Sequence, residues 1–221
     1  MNWFTKTSYP EFWNTYSKHF KNKQETDLGS IRFVVFDTET TGLNPNQDRI
    51  LSIGTVGIFQ NTIKVSDSFE CYLKQDLFKA ETVKIHGLLK GGKNIKIDEK
   101  TAIIQFLEHI KNSVLVAHNA SFDVTMINKA LKRLELPKLK NIVLDTKNIF
   151  NKTNLDKTTK TNFSLDELSE RFKIPQHDRH TASGDAFITA LLFVKLISHL
   201  KKEKKITLND IKSPKERIGL L

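Results

Sequence analysis

A single cysteine, Cys71, is the entire thiol content of the 221-residue chain. That excludes a disulfide framework and any zinc site built on cysteines, and it fits a reducing compartment. Long apolar runs are missing as well. None approaches the ~20 residues needed to span a bilayer. The first residues lack the apolar core of a signal peptide, so the expected location is cytoplasmic, with no membrane partner. Internal repeats and low-complexity tracts are absent. Acidic charge is in deficit: 25 Asp plus Glu stand against 35 Lys plus Arg, giving a formal charge of +10. A basic surface favours a polyanion such as nucleic acid, although a lysine-rich composition alone also yields basic proteins that bind nothing anionic. The length suits one sizeable domain with appendages.

The chain divides into residues 1–30, 31–200 and 201–221. In the first part Tyr9, Phe12, Trp13, Tyr16 and Phe20 recur at helical spacing, with Pro10 placed for a first turn. This short helix either packs on the main domain or docks to a partner protein. From Ile31 the pattern changes to strands: the first carries the stretch 33–43, and residues 49–59 and 64–73 read as the next two, joined at Gln60-Asn61. Small residues Ser52, Gly54 and Gly57 call for close packing or a bulge. Residues 82–88 contain Ile85, His86, Gly87 and Leu88 and lead to a loop at Gly91-Gly92. A helix is expected over 98–110, a fully buried strand over 114–117, and a helix carrying Val124, Ile127 and Leu131 with Asn119 or Ser121 as its N-cap. Residues 141–145 read as a strand and 147–161 as a polar surface loop. Ser164 and Glu167 fit a capping box opening a helix to Phe172. From Asp185 onward a helix is apolar around most of its circumference and therefore buried. A basic tail follows (Lys201, Lys202, Lys204, Lys205), with Pro214 breaking any continuation. Three strands followed by alternating helices and strands predict an α/β fold, a mixed β-sheet flanked by α-helices.

The stretch 33–43 organises the rest. Val34, Val35 and Phe36 make a central strand, and alternation places Asp37 and Glu39 on one face at its end, before the turn at Gly42. Two adjacent acids repel each other and lose hydration, which a hard divalent cation between them relieves. The plain alternative is a strand end with two solvated acids. Asp123 falls in the first turn of a helix, where a carboxylate also suits the helix dipole. His180 and Asp185 flank the start of the last long helix.

Taken together these residues resemble the DEDD-type 3′→5′ exonucleases, in the subfamily with histidine in the last motif (DEDDh) that includes the proofreading epsilon subunit of bacterial DNA polymerase III. The first motif stands as Asp37-Thr38-Glu39-Thr40-Thr41-Gly42-Leu43, the second as His118-Asn119-Ala120-Ser121-Phe122-Asp123, and the third as His180-Thr181-Ala182-Ser183-Gly184-Asp185-Ala186. All three occur in order within residues 31–200. The resemblance implies a ribonuclease-H-like fold and two divalent metal ions, Mg²⁺ or Mn²⁺. Asp37, Glu39 and Asp185 would hold the ion nearer the nucleophilic water. Asp37 would be shared with a second ion, held by Asp123 largely through water. His180 would be the general base; His177 is the competitor, set aside by the family's spacing to Asp185. His118 would be structural or lie behind the site. Thr40, Thr41, Leu43, His86, Asn119 and Phe122 would contact the bound strand, Leu43 and Phe122 by bracketing terminal bases, with ordinary core packing as the alternative for Phe122.

The implied function is a metal-dependent 3′→5′ exonuclease releasing 5′-mononucleotides from DNA, as in proofreading or repair. The expected partners are a single-stranded 3′ end, DNA ahead of RNA, and a DNA polymerase subunit. The alternatives are a 3′→5′ exoribonuclease, since ribonuclease T belongs to the same subfamily, and a non-catalytic subunit that binds 3′ ends or a polymerase.

Overall fold

The computed structural model describes residues 8–76, 94–156 and 158–212. In chain order, helix α1 (Glu11–Lys18) precedes strands β1 (Phe33–Thr40), β2 (Ile50–Phe59) and β3 (Thr62–Leu73). Then come β4 (Lys96–Ile97), α2 (Glu99–Ile110), β5 (Val114–Ala117), α3 (Ala120–Arg133) and β6 (Val143–Asp145). The helices α4 (Thr146–Lys152), α5 (Leu165–Arg171), α6 (Ala182–Glu203) and α7 (Leu208–Lys212) complete the order. The sheet order is β4-β3-β2-β1-β5-β6. β1 pairs antiparallel with β2 and parallel with β5, so the mixed sheet expected from the sequence is borne out.

Alternation along β1 splits the core in two. Phe33 and Val35 pack on one face with α4, α5 and α6, Phe33 against Phe193 at 5.0 Å between ring centroids. Val34 and Phe36 pack on the other face with α1, α2 and α3, Phe36 against Phe106 at 5.8 Å. A strand covered on both faces has no use for a polar residue until it emerges, which is why the run stays apolar up to Asp37. Of the two readings of α1, packing on the main domain is the one seen. Trp13 and Tyr16 are buried, and the Tyr16 hydroxyl donates to Asn141 Oδ1 at 2.6 Å. At the other end α6 runs on to Glu203, and Ile206, Leu208 and Ile211 are buried in the first core.

Two local expectations are corrected. Residues 147–161 are not all loop: α4 occupies Thr146–Lys152 and buries Ile149 and Phe150 completely. Asn119, one of the two expected residues, does occupy the N-cap position of α3, but at φ 62° and with no side-chain cap bond. Asp145, at the end of β6, accepts instead from the backbone N–H of Ala120 (3.0 Å) and of Asn119 (3.3 Å), and also from Lys147 N–H at 2.9 Å. One carboxylate thus satisfies the exposed N–H groups of two helices. The capping box at Ser164 and Glu167 is present as expected. Residues 82–88 and the Gly91-Gly92 loop lie outside the described residues.

α6 is long and apolar enough, by length and composition alone, to cross a membrane, but 56% of that stretch is buried inside the protein. Its first turn presses on β2 at Gly54. A Cβ there would lie 2.2 Å from the carbonyl carbon of Ala182 and from the backbone nitrogen of Ser183. Gly57 stands at the β-bulge between Val56 and Gly57. Because Gly54 is the register partner of Asp37, its bare backbone lets the start of α6, and Asp185 with it, approach β1. Gly54→Val is therefore expected to push α6 off the sheet. The hydrolytic activity that the resemblance implies should fall by about 10²-fold, since displacements of ~1 Å suffice for that, and circular dichroism should still report a folded protein. Retained activity would show that this contact does not position Asp185.

Candidate active site

Asp37 and Glu39 leave β1 on the face covered by α6, and Asp185 meets them from the first turn of that helix. One ligand oxygen from each lies within 4.8 Å of the others. Asp37 and Glu39 are half-buried, while Asp185 is 7% exposed. The fourth acid arrives from the opposite layer. Asp123 of α3, 4% exposed, accepts at Oδ1 from the Thr38 backbone N–H (3.0 Å) and from the Thr38 hydroxyl (2.7 Å). Thr38 points away from Asp37 and Glu39 along the strand, so it clamps Asp123 at the edge where the two layers meet.

Confinement makes Asp37, Glu39 and Asp123 harder to ionise. Burial first, and then the charges of Asp123, Asp185 and Glu39, push Asp37 well above the usual carboxylate range. Burial with Asp185 and Asp123 raises Glu39 to about 7. Burial raises Asp123 to about 7 against the pull of the Thr38 hydrogen bonds. Oxygen donors at this spacing, mutually repelling and partly dry, suit a hard divalent cation.

One cation of the chain is already there. Arg179 donates through Nη1 to Asp185 Oδ2 and through Nε to Asp166 Oδ1 at 2.7 Å. Burial disfavours its charge, but the hydrogen bonds to Asp166 and Asp185 outweigh that and raise its pKa.

A chain with this cleft matches the family described as Exonuclease over residues 34–193. The chain belongs to the exonuclease family. The expected membership of an exonuclease family is thereby borne out. Among curated relatives it is 36% identical to the DNA polymerase III PolC-type of Caldanaerobacter subterraneus subsp. tengcongensis over 183 residues. That alignment takes in 82% of this chain but 13% of the relative, so the chain spans about an eighth of that protein. It is 33% identical to the DNA polymerase III subunit epsilon of Rickettsia typhi over 175 residues, 76% of this chain and 75% of that one. The likeness to the epsilon subunit read from the three motifs is borne out. A crystal structure of E. coli exonuclease I with a dT13 oligonucleotide superposes with a TM-score of 0.65 at 14% identity, over 79% of this chain and 42% of that one. At that identity it shows the fold, and the ribonuclease-H-like sheet expected from the sequence is borne out.

None of the other described residues singled out from the sequence belongs to the group of three acids. His180 is exposed on the turn before α6, at φ 62°, and its backbone N–H faces Asp185 Oδ1 at 3.4 Å. The imidazole stands outside the group of three acids. His177 is exposed on the same turn. Leu43 is 84% exposed just past the end of β1, an apolar side chain with nothing covering it among the described residues. Phe122 is half-buried against the second core. Asn119 is exposed, and its Oδ1 accepts from Lys147 Nζ at 2.9 Å.

The hydroxyls of Thr40 and Thr41 are engaged within the turn. Thr40 donates to Gly42 O (2.8 Å) and Thr41 to Asp48 Oδ1 (2.9 Å). His118 Nε2 lies 3.0 Å from the Phe163 carbonyl, so it must carry the proton, and Nδ1 meets the Thr146 hydroxyl at 2.8 Å. With both ring nitrogens occupied, His118 ties the segment before α5 to β5. His86 lies outside the described residues. Sequence reasoning missed Arg179, Asp145 and Thr38. Arg179 adjoins His180, but nothing in the pattern marks which carboxylates an arginine in a turn will find.

Proposed function

We propose that this exonuclease domain shortens DNA from its 3′ end and releases 5′-mononucleotides in a divalent-metal-dependent hydrolysis. The observation that carries the reading is the convergence of Asp37, Glu39 and Asp185 within 4.8 Å. Carboxylate oxygens without thiol or imidazole donors suit Mg²⁺ or Mn²⁺. Two such ions supply charge stabilisation for the departing 3′ oxygen and acidify the attacking water. Asp37, Glu39 and Asp185 would hold one of them, and Asp123, fixed by Thr38, would with Asp37 serve the other. His180 accepts the proton of the attacking water, the general-base role that imidazoles fill most often. Leu43 and Phe122 bracket the terminal bases, each stack contributing ~1–3 kcal/mol where a ring is involved. Asn119, the backbone of Thr40 and Thr41, and His86 contact the terminal nucleotides.

DNA as substrate, and a DNA polymerase as partner, are supported by the two polymerase III relatives. The dT13 oligonucleotide bound by exonuclease I adds support for a single strand. The same relatives support a cytoplasmic location. Residues 31–200 form the catalytic domain in this reading, with 1–30 and 201–221 as its appendages. Incubation with 5′-labelled single-stranded DNA, and separately RNA, with Mg²⁺ or EDTA, tests it. A ladder shortening from the 3′ end of DNA only with metal is expected. Preferential shortening of RNA would replace the substrate, and intact polymers under every condition would make the domain a binder of 3′ ends.

A further inference from the structure

Both oxygens of Asp185 are occupied by the turn that precedes its helix. Oδ2 accepts from Arg179 Nη1, and Oδ1 faces the His180 backbone N–H at 3.4 Å. The Arg179 side chain is 17% exposed and that of Asp185 10%, so this pair is shielded from solvent. We propose that Arg179 is a latch on Asp185 that a divalent cation must displace, and that it thereby sets the metal concentration at which the cleft is loaded. The proposal rests on the reading of Asp185 as a metal ligand given above.

Arg179 is placed to let go without being stranded. Its Nε bonds Asp166, which is in the first turn of α5 and outside the group of three acids. A buried guanidinium with a single partner would be costly to unpair. This one keeps Asp166 when Asp185 turns to a cation, so opening breaks one interaction of two. The turn itself is held closed from within. The Thr181 hydroxyl donates to the Asp178 carbonyl at 2.7 Å, and that carbonyl lies 2.0 Å from where a Gly184 Cβ would be. Asp178 and His180 both adopt positive φ, 55° and 62°, an uncommon region for residues other than glycine, though one that Asp and His enter more readily than most. Latched and loaded forms therefore compete for one carboxylate, and the observed metal affinity is the intrinsic affinity reduced by the fraction of molecules with Asp185 released.

Mn²⁺ binding to the whole chain, followed by electron paramagnetic resonance at pH 8 without nucleic acid, tests this. Arg179→Leu should bind Mn²⁺ about tenfold more tightly than the wild type, the figure for a latch closed in roughly nine molecules of ten. Arg179→Lys, whose single ammonium cannot span Asp166 and Asp185 as the fork does, should tighten binding to a smaller extent. A residue that merely braced Asp185 would give the opposite sign. Unchanged or weaker Mn²⁺ binding in Arg179→Lys, or in an Arg179→Leu variant that circular dichroism shows to be folded, overturns the latch. Asp37→Asn run in parallel separates the two ideas. If it leaves Mn²⁺ affinity untouched, the metal-site reading itself fails; if it abolishes binding, the arginine variants judge the latch alone.

Discussion

Asp37→Asn is expected to reduce hydrolysis by about 10³-fold or more, equivalent to at least ~4 kcal/mol of transition-state stabilisation, while raising the melting temperature of the metal-free protein. The two effects share a cause. Asp37 lies on β1 where Asp123 approaches from one layer and Asp185 from the other, with Glu39 two residues along the same face. Its carboxylate is partly shielded from water and faces three like charges, which is unfavourable in the absence of a cation and useful in its presence. An asparagine of the same shape removes the repulsion and the ligand together. A residue that only supported the fold would lose activity and melting temperature in step. Paired measurement of turnover on 5′-labelled DNA and of thermal unfolding in EDTA distinguishes them. Full activity in Asp37→Asn would remove it from the site.

The opposed signs explain which parts of the molecule were readable in advance. β1 is legible because burial on both faces demands an unbroken apolar run. The side on which Asp37 and Glu39 emerge follows from strand alternation alone. α5 announces itself through Ser164 and Glu167, and α6 through an apolar circumference that only a core helix tolerates. These are local constraints, written within a dozen residues.

What escaped the sequence depends on pairings between distant segments. Asp145 caps α3 from 25 residues away, a role that left Asn119 free to adopt its left-handed conformation. α4 was hidden because Thr146, Lys147 and Asn148 read as loop, while its anchors Ile149 and Phe150 are a lone apolar pair whose burial depends on Phe163 and Phe172 arriving later in the chain. Arg179 carries no periodicity or capping signal. Its partners Asp166 and Asp185 stand in the first turns of two helices, and it becomes visible only when those turns meet. Gly54 lies between these cases. The need for a small residue was legible, but the element that needed the space, the start of α6, was not.

The pH dependence of stability should carry the imprint of the same acids. Glu39 is raised from 4.5 to about 7 and Asp123 from 3.8 to about 7, and Asp37 is raised as well. Between the unfolded and folded values the native state holds protons that the unfolded chain has released. The stability of the metal-free protein contributed by Glu39 and Asp123 therefore falls as pH rises from about 4 to 7 and levels off above, and Asp37 acts in the same direction.

Asp67, Asp156, Asp166, Asp210 and Glu167 are shifted down, so their contribution grows through the ordinary carboxylate range and is constant above it. His109 and His118 are lowered by burial, and their contribution rises with pH until the unfolded value of 6.5 is passed, opposing the acids. A difference between variants cancels that opposition. Glu39→Gln should melt close to the wild type at pH 4.5 and above it at pH 7.5. Allowing for partial solvent screening, the gain is about 1–2 kcal/mol, or roughly 3–6 °C for a chain of this size. Saturating Mn²⁺ should reverse the order, stabilising the wild type increasingly as pH rises through 7 and Glu39→Gln far less, because the cation binds the ionised carboxylates that protons otherwise occupy. A melting difference that does not change with pH in EDTA would mean that Glu39 is ionised throughout and that the cleft is wetter than its burial indicates.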